Sequence, residues 1–179
     1  MSTPNRRAGA IAALAFVATV WAANYALSRW GFVPVGFGLE APAGVYFAGL
    51  AFTLRDIVHH SLGRAAVIAC ILAGAALSWL IEANANLGGA VTVAVASAIA
   101  FLLSELADLA VYEPLRERGW LPAVVASNAV GIVVDSALFL WLAFGSLAFI
   151  EGQLVGKAWM TLAALPVLYA LRRRRVALA

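Results

Sequence analysis

Long apolar blocks fill this chain, and three carboxylates lie inside them: Glu105 and Asp108 in the fourth block and Asp135 in the fifth. Only 12% of the residues are charged, whereas an ordinary soluble domain has about 25%. So few polar residues cannot cover a surface that faces water, and we therefore expect lipid to be the solvent. An ionisable group in hydrocarbon costs at least about 2.5 kcal/mol and usually marks a pathway or a binding site.

The apolar blocks predict an all-α fold class, that of a polytopic membrane protein with six transmembrane helices. Each block is near the roughly 20 residues that cross a hydrocarbon layer about 30 Å thick, where backbone polar groups must bond within a helix. We expect residues 1–179 to form a single integral-membrane domain, because the length leaves no room for an extra soluble domain. The predicted helices are about 8–28, 41–59, 64–81, 88–112, 120–144 and 147–171.

The basic residues predict the orientation of these helices. Ten of the twelve Lys and Arg residues fall on one side of the predicted membrane, and only Arg29 and Lys157 fall on the other. By the positive-inside rule both termini are then cytoplasmic, which requires an even number of spans. The net charge of +3 does not indicate nucleic-acid binding, because the basic residues lie at block ends and not on a folded soluble face.

The sequence contains no recognisable metal-binding or catalytic motif. Cys70 is the only cysteine, so neither an intramolecular disulfide nor a cysteine-based metal site can form. His59 and His60 are adjacent, and adjacent helical side chains point about 100° apart, so they do not form an i, i+4 metal pair. A Gly-rich phosphate loop, a Ser-His-Asp set and an HExxH motif are missing. We therefore expect no enzyme activity, no metal and no cofactor.

The polar residues of the fourth and fifth predicted helices share faces. Glu105, Asp108 and Tyr112 are spaced three and four residues apart. Asn128 and Asp135 are seven residues apart, which is about two helical turns. The functional interpretation is a polar cavity between the two helices, in which the acids accept hydrogen bonds from a substrate or carry a proton.

The alternative interpretation of the acids is internal pairing, which would neutralise them without a ligand. Arg55 near the end of helix two could pair with Glu105 or Asp108. Lys157 in helix six could reach Asp135. A residue can serve both roles, so both interpretations stay open at this point.

Two further features lie near the outer ends of the first two predicted helices. Asn24 is a single amide in helix one, and we expect it to make an interhelical hydrogen bond and not to bind a ligand. The segment 29–40 that follows contains three glycines and one proline. We expect it to be a loop that forms a re-entrant or lid segment.

Three segments contain motifs in a recognisable order. They are Phe101–Asp108 with Tyr112 and then Ser127–Phe139; Arg55–Arg64; and Gly156–Thr161 with Pro166. An acidic helix is followed by a short basic loop and then by a helix that contains Ser-Asn, Asp-Ser and Phe in this order. This arrangement resembles that of the vitamin uptake transporter family, whose better-known members import queuosine precursors. The chain departs from the family pattern where the pair His59 and His60 replaces an acid.

The resemblance implies a multi-pass, six-helix carrier of the bacterial inner (plasma) membrane for a small nitrogen heterocycle, such as a cyano- or aminomethyl-deazaguanine. The edge of a deazapurine presents hydrogen-bond donors and acceptors that carboxylates and an Asn amide can match. An aromatic wall would face the ring, for which Phe47, Phe101, Phe139 and Trp79 are available.

On this hypothesis the polar residues fall into two groups. The predicted substrate-binding residues are Glu105, Asp108, Asn128, Asp135, Ser104 and Tyr112. The predicted gate and ion-pair residues are Arg55, Asp56 and Arg64 at the inner side, and Lys157 as the outer partner of Asp135.

A second hypothesis, from another class, is a substrate-capture subunit of a multi-component vitamin uptake system. Such subunits are also small six-helix proteins, and the Ala-rich helices one and three could supply a docking surface. A third hypothesis is a membrane enzyme or a purely structural protein. The expected partners are the heterocycle and the lipid bilayer, and a Gly/Ala-rich face could also support a homodimer; nucleic acid is not expected.

Overall fold

The computed structural model describes residues 6–84, 90–115 and 117–176, which form six α-helices and one β-hairpin. The helices are α1 (Arg6–Trp30), α2 (Val45–Leu62), α3 (Arg64–Asn84), α4 (Ala90–Leu115), α5 (Trp120–Phe144) and α6 (Ile150–Val176). The prediction of six helices is confirmed, and α5 has the predicted bounds. The other helices begin or end a few residues from the predicted positions, because apolar patterning locates a helix better than its polar ends.

Three helical stretches in the described part of the chain are long and apolar enough to cross a membrane. They are Arg6–Trp30, Val93–Leu115 and Val125–Phe144, and Arg64–Leu80 is a shorter apolar helix. Large apolar side chains lie exposed on the helix surfaces, for example Leu14 at 75% and Val125 at 60%. Soluble proteins rarely expose apolar surface on this scale, whereas lipid would cover it. The fold is therefore that of a helical membrane protein.

The loop predicted after helix one is a β-hairpin, and here the all-α prediction is incomplete. Strand β1 (Phe32–Gly36) pairs antiparallel with β2 (Leu39–Pro42). Between them Gly36, Phe37 and Gly38 all have positive φ, at 99°, 55° and 73°. Glycine adopts such angles without a steric penalty, so the two glycines permit the turn. Pairing allows the backbone groups of this segment to bond to each other.

The hairpin packs on α6. The indole Nε1 of Trp159 donates a hydrogen bond to the carbonyl oxygen of Val35, over 3.0 Å. A Cβ atom at position 152 would overlap the carbonyl oxygen of Glu40, so this approach of strand to helix requires Gly152. We call the end of the helix bundle that carries the hairpin the hairpin end.

The interior of the bundle contains buried cations beside aromatic rings. α4 packs along α5, α1 packs along α2, and α2 packs along α6. The ring of Phe101 lies 4.9 Å from that of Phe52 and 5.7 Å from that of Phe16, measured between centroids. Arg55 and Lys157 are each only 1% exposed. Because an unpaired buried charge is strongly destabilising, both cations need partners inside the bundle.

Candidate functional site

The first polar group in the interior surrounds the guanidinium of Arg55. We call it the Arg55 cluster, and its members are Arg55, Asp56, Glu105, Asp108 and Asn128. The Nη1 atom of Arg55 lies 3.0 Å from Oε2 of Glu105 and 3.3 Å from Oδ2 of Asp108. Arg55 therefore makes the internal pairing that the sequence left open as an alternative, and this pairing joins α2 to α4.

The remaining nitrogens of Arg55 extend the cluster to its own helix and to α5. Nε lies 3.3 Å from Oδ1 of Asp56, and Nη2 donates to Oδ1 of Asn128 over 3.3 Å. The Asn128 amide donates in turn to Oδ2 of Asp56, over 3.5 Å. The Asp56 side chain is 39% exposed, so the cluster reaches the surface at this residue.

Two carboxylate oxygens in the cluster are buried without a hydrogen-bond partner among the described residues. They are Oε1 of Glu105 and Oδ1 of Asp108. Gly131 of α5 lies beside the second of them, because a Cβ there would be 3.7 Å from Oδ1 of Asp108 and 3.7 Å from Cε1 of Phe52. Each oxygen can still accept a hydrogen bond, or take a proton and donate one.

The second polar group is the ion pair of Lys157 and Asp135. Nζ of Lys157 donates to Oδ2 of Asp135 over 2.6 Å and to Oγ of Ser136 over 2.7 Å. The predicted reach of Lys157 to Asp135 is confirmed, and the pair joins α6 to α5. One cation faces one carboxylate here, so the charges of this group balance.

A cavity borders this ion pair at the hairpin end of the bundle. The space not filled by atoms amounts to about 590 Å³, a figure that includes its open part. Sites for small molecules commonly combine apolar walls with a few polar groups. The polar residues in its wall are Thr19, Asn24, Ser97, Asp135, Gln153 and Lys157, and the aromatic ones are Phe101 and Phe139.

Asn24 and Gln153 give the cavity its two side-chain amides. Nδ2 of Asn24 donates to Oγ of Ser78, and Oγ of Ser97 donates to Oδ1 of Asn24, each over 3.1 Å. The interhelical hydrogen bond predicted for Asn24 is thus confirmed, since these residues lie on α1, α3 and α4. Gln153 is 2% exposed, and its Oε1 has no hydrogen-bond partner in the described residues. Of the two amide oxygens in the cavity wall, that of Gln153 is the one that accepts no hydrogen bond from the described residues.

Phe52 lies close to the cations of both polar groups. Its ring centroid lies 5.6 Å from Cζ of Arg55 and 5.8 Å from Nζ of Lys157, both within the range of a cation–π interaction. Its ring also stacks on Phe101, which lines the cavity. One aromatic side chain therefore contacts both charged groups and the cavity wall.

Three of the predicted site residues belong neither to the Arg55 cluster nor to the cavity wall, namely Ser104, Tyr112 and Arg64. Ser104 is buried and its hydroxyl donates to the Phe101 carbonyl of its own helix, over 2.9 Å. Tyr112 is half-buried, one turn beyond Asp108 on α4. Arg64 is exposed at the first residue of α3, outside the Arg55 cluster.

Of the four aromatic residues predicted to face the ring of the substrate, two line the cavity and two do not. Phe101 and Phe139 line the cavity, whereas Trp79 is 47% exposed on α3 and Phe47 is not part of the wall. Sequence reasoning missed Gln153 and Phe52. The available signal for Gln153 was its position four residues before Lys157, which places both on one face of a helix.

Comparison with known proteins gives a family match. The family model described as "Putative vitamin uptake transporter" matches residues 42–171. This stretch includes all members of the Arg55 cluster, the Lys157–Asp135 ion pair and Gln153. No curated protein and no solved structure matches the chain.

Proposed function

This chain belongs to the putative vitamin uptake transporter family, and we propose that it imports a queuosine precursor, such as a deazaguanine, or a related small nitrogen heterocycle. The observation that carries this proposal is the cavity at the hairpin end, whose wall combines amides, a carboxylate and aromatic rings. A flat heterocycle with donors and acceptors on its edge needs this combination of groups.

The polar wall of the cavity offers both kinds of hydrogen-bonding partner. The free Oε1 of Gln153 can accept from a ring N–H or an amino group. The carboxylate of Asp135 is a second acceptor, and Nζ of Lys157 can donate to a carbonyl oxygen of the ring system. We therefore assign substrate contact to Asp135 and Gln153.

The aromatic wall can bind the faces of the heterocycle. Phe101 and Phe139 line the cavity, and Phe101 is held in place by its contacts with Phe16 and Phe52. Offset or edge-to-face packing against an aromatic ring contributes about 0.5–1.5 kcal/mol beyond the burial of area. Such packing favours flat ligands over saturated ones.

We place the chain in the bacterial inner membrane as one transport domain, with all six helices as spans and both termini in the cytoplasm. The sequence places ten of the twelve basic residues on the predicted side of the membrane opposite segment 29–40, which supports this orientation. On this orientation the cavity lies toward the outside. The Arg55 cluster, with Glu105, Asp108 and Asn128, then lies between the cavity and the cytoplasm and acts as the inner gate.

The test is uptake of labelled 7-aminomethyl-7-deazaguanine by a bacterial strain that cannot synthesise it and that expresses this chain. Ala98 lines the cavity, whereas Ala110 is exposed on the same helix. We expect Ala98→Leu to reduce uptake about tenfold or more, a loss of about 1.4 kcal/mol, because the added side chain occupies the cavity. Ala110→Leu should transport normally, and equal uptake by the two variants at equal expression would reject the cavity as the binding site.

Uptake of the same substrate by the purified protein distinguishes a carrier from a capture subunit. Purified protein in liposomes should take up the heterocycle saturably with no other protein present. Binding of the heterocycle without uptake, with uptake restored by a membrane extract, would instead favour the substrate-capture subunit.

A further inference from the structure

We propose that the Arg55 cluster is a proton-binding site and that this chain couples substrate movement to the movement of protons. The coupling rests on the carrier function proposed above. The inference that the cluster binds a proton depends only on the geometry of the cluster and not on the carrier function.

The buried charges of the cluster do not balance without a proton. Nη1 of Arg55 serves two carboxylates at once, at 3.0 Å from Glu105 and 3.3 Å from Asp108. The side chains of these acids are only 3% and 8% exposed. With both ionised, an excess negative charge would stay buried within a membrane protein, which is costly. A proton on one of the two acids removes this excess.

The other charged groups nearby do not restore the balance. Asp56 adds a third carboxylate, although its side chain is partly exposed. Within the described residues, His59 of α2 is the remaining titratable neighbour of Glu105, and it is half-buried. Even with His59 charged, two cations would face three carboxylates. α5 contributes the amide of Asn128, which is neutral.

Two oxygens are available to receive the proton. Oε1 of Glu105 and Oδ1 of Asp108 are buried, and neither has a hydrogen-bond partner in the described part of the chain. The lack of a side chain at Gly131 leaves space beside Oδ1 of Asp108. These unpartnered atoms are a second observation, independent of the number of acids, that points to a bound proton.

The Lys157–Asp135 pair provides an internal comparison. There, one ammonium faces one carboxylate at 2.6 Å, and Ser136 accepts a further hydrogen bond from the lysine. No additional charge is needed at that pair. The proton is therefore assigned to the Arg55 cluster and not to Asp135.

The proton step requires no co-reactant. A proton that enters from outside forms an O–H bond at Oε1 of Glu105 or at Oδ1 of Asp108, and the same bond breaks when the proton leaves to the cytoplasm. The protonated acid holds the guanidinium of Arg55 less strongly, so Arg55 is then held mainly by the other acids. Because Phe52 contacts both Arg55 and the cavity residue Phe101, a shift of the guanidinium changes the packing of the cavity wall.

The first experiment tests proton binding without any substrate. Infrared spectra of the purified protein, recorded over a pH series around neutrality, should contain the C=O band of a protonated carboxyl group. The band should disappear in Glu105→Gln/Asp108→Asn, or in the two single variants if the double variant does not fold. It should remain in Glu117→Gln, which changes an exposed acid outside the cluster. Absence of the band from the native protein, or its persistence in the cluster variants, would overturn the assignment.

The second experiment tests coupling in liposomes loaded with 7-aminomethyl-7-deazaguanine. The native protein should accumulate labelled heterocycle when an inward proton gradient is imposed. Glu105→Gln should lose this accumulation, whereas Glu117→Gln, which changes an exposed acid outside the cluster, should retain it. Accumulation by Glu105→Gln at the native level would reject the coupling. If the native protein neither exchanges nor accumulates the heterocycle, the carrier function itself fails, and the infrared result still decides the proton site.

Discussion

Lys157 and Asp135 form a buried ion pair between α6 and α5, in which Nζ of the lysine lies 2.6 Å from Oδ2 of the aspartate. The two residues are 1% and 4% exposed. Both also line the cavity, so the contact that joins these two helices is part of the proposed binding site. We therefore expect both the stability of the protein and the proposed transport to depend on this pair.

Replacement of the lysine alone should be strongly destabilising. In Lys157→Met the Asp135 carboxylate stays buried without its cation, and we expect the free energy of unfolding to fall by about 3–5 kcal/mol. Unfolding by sodium dodecyl sulfate in mixed micelles would measure this change. The control is Arg29→Met, which removes an exposed cation at the end of α1 and should have little effect.

The double variant Lys157→Met/Asp135→Asn separates the pair's role in stability from its role in transport. Neutralising both partners leaves no buried charge at this pair, so most of the lost stability should return. Uptake should stay low, because the cavity then lacks both charged groups. A double variant as unstable as Lys157→Met would contradict the charge argument.

Gln153→Leu should weaken the binding of the heterocycle without lowering the stability of the protein. The Oε1 atom of Gln153 is buried and unpartnered in the described residues, so its removal relieves a desolvation cost and should not lower the free energy of unfolding. The KM for heterocycle uptake should rise about tenfold, because one hydrogen bond to the ligand is lost. Glu151→Gln, an exposed change in the first turn of α6, is the control. Lower stability with an unchanged KM would show that Gln153 is structural.

Phe52→Leu should weaken the contact between the Arg55 cluster and the cavity. The change removes an aromatic ring that lies within 5.8 Å of Nζ of Lys157 and 5.6 Å of Cζ of Arg55. We expect a loss of about 1–3 kcal/mol in the free energy of unfolding, since a smaller side chain leaves a gap and two cation–π contacts disappear. Phe47→Leu, at a half-buried position of the same helix, should cost less. Equal losses for the two variants would contradict the role given to Phe52.

Gly152→Ala should displace the hairpin from α6. The added Cβ would overlap the carbonyl oxygen of Glu40, and relief of such an overlap typically costs about 1–3 kcal/mol. Limited proteolysis should then cleave the hairpin faster than in the native protein. Glu151→Ala places the same side chain one residue earlier at an exposed position, and cleavage at the native rate is expected there. Unchanged cleavage of Gly152→Ala would show that the hairpin does not depend on this close approach.

Local sequence signals predicted the helices well, and α5 shows why. Gly119 and Gly145 flank it, and the second of these adopts a φ of 66° while its N–H donates to the carbonyl oxygen of Trp141. Glycine at this position is a local termination signal. The hairpin was missed because the glycines of its turn indicated a loop, and the packing of this segment on α6 is a long-range contact that the local pattern does not contain.

The sequence by itself determined that this chain forms apolar helices and that its buried acids need cations. Both follow from local composition and from the cost of a bare charge in hydrocarbon. Only the tertiary structure decided that Glu105 and Asp108 share one guanidinium while Asp135 has its own lysine. It also decided that the cavity wall contains Asn24 and Gln153 and not the two acids of α4. The physical reason is that the rotation and depth of each helix are set by packing against its neighbours, which no single segment encodes.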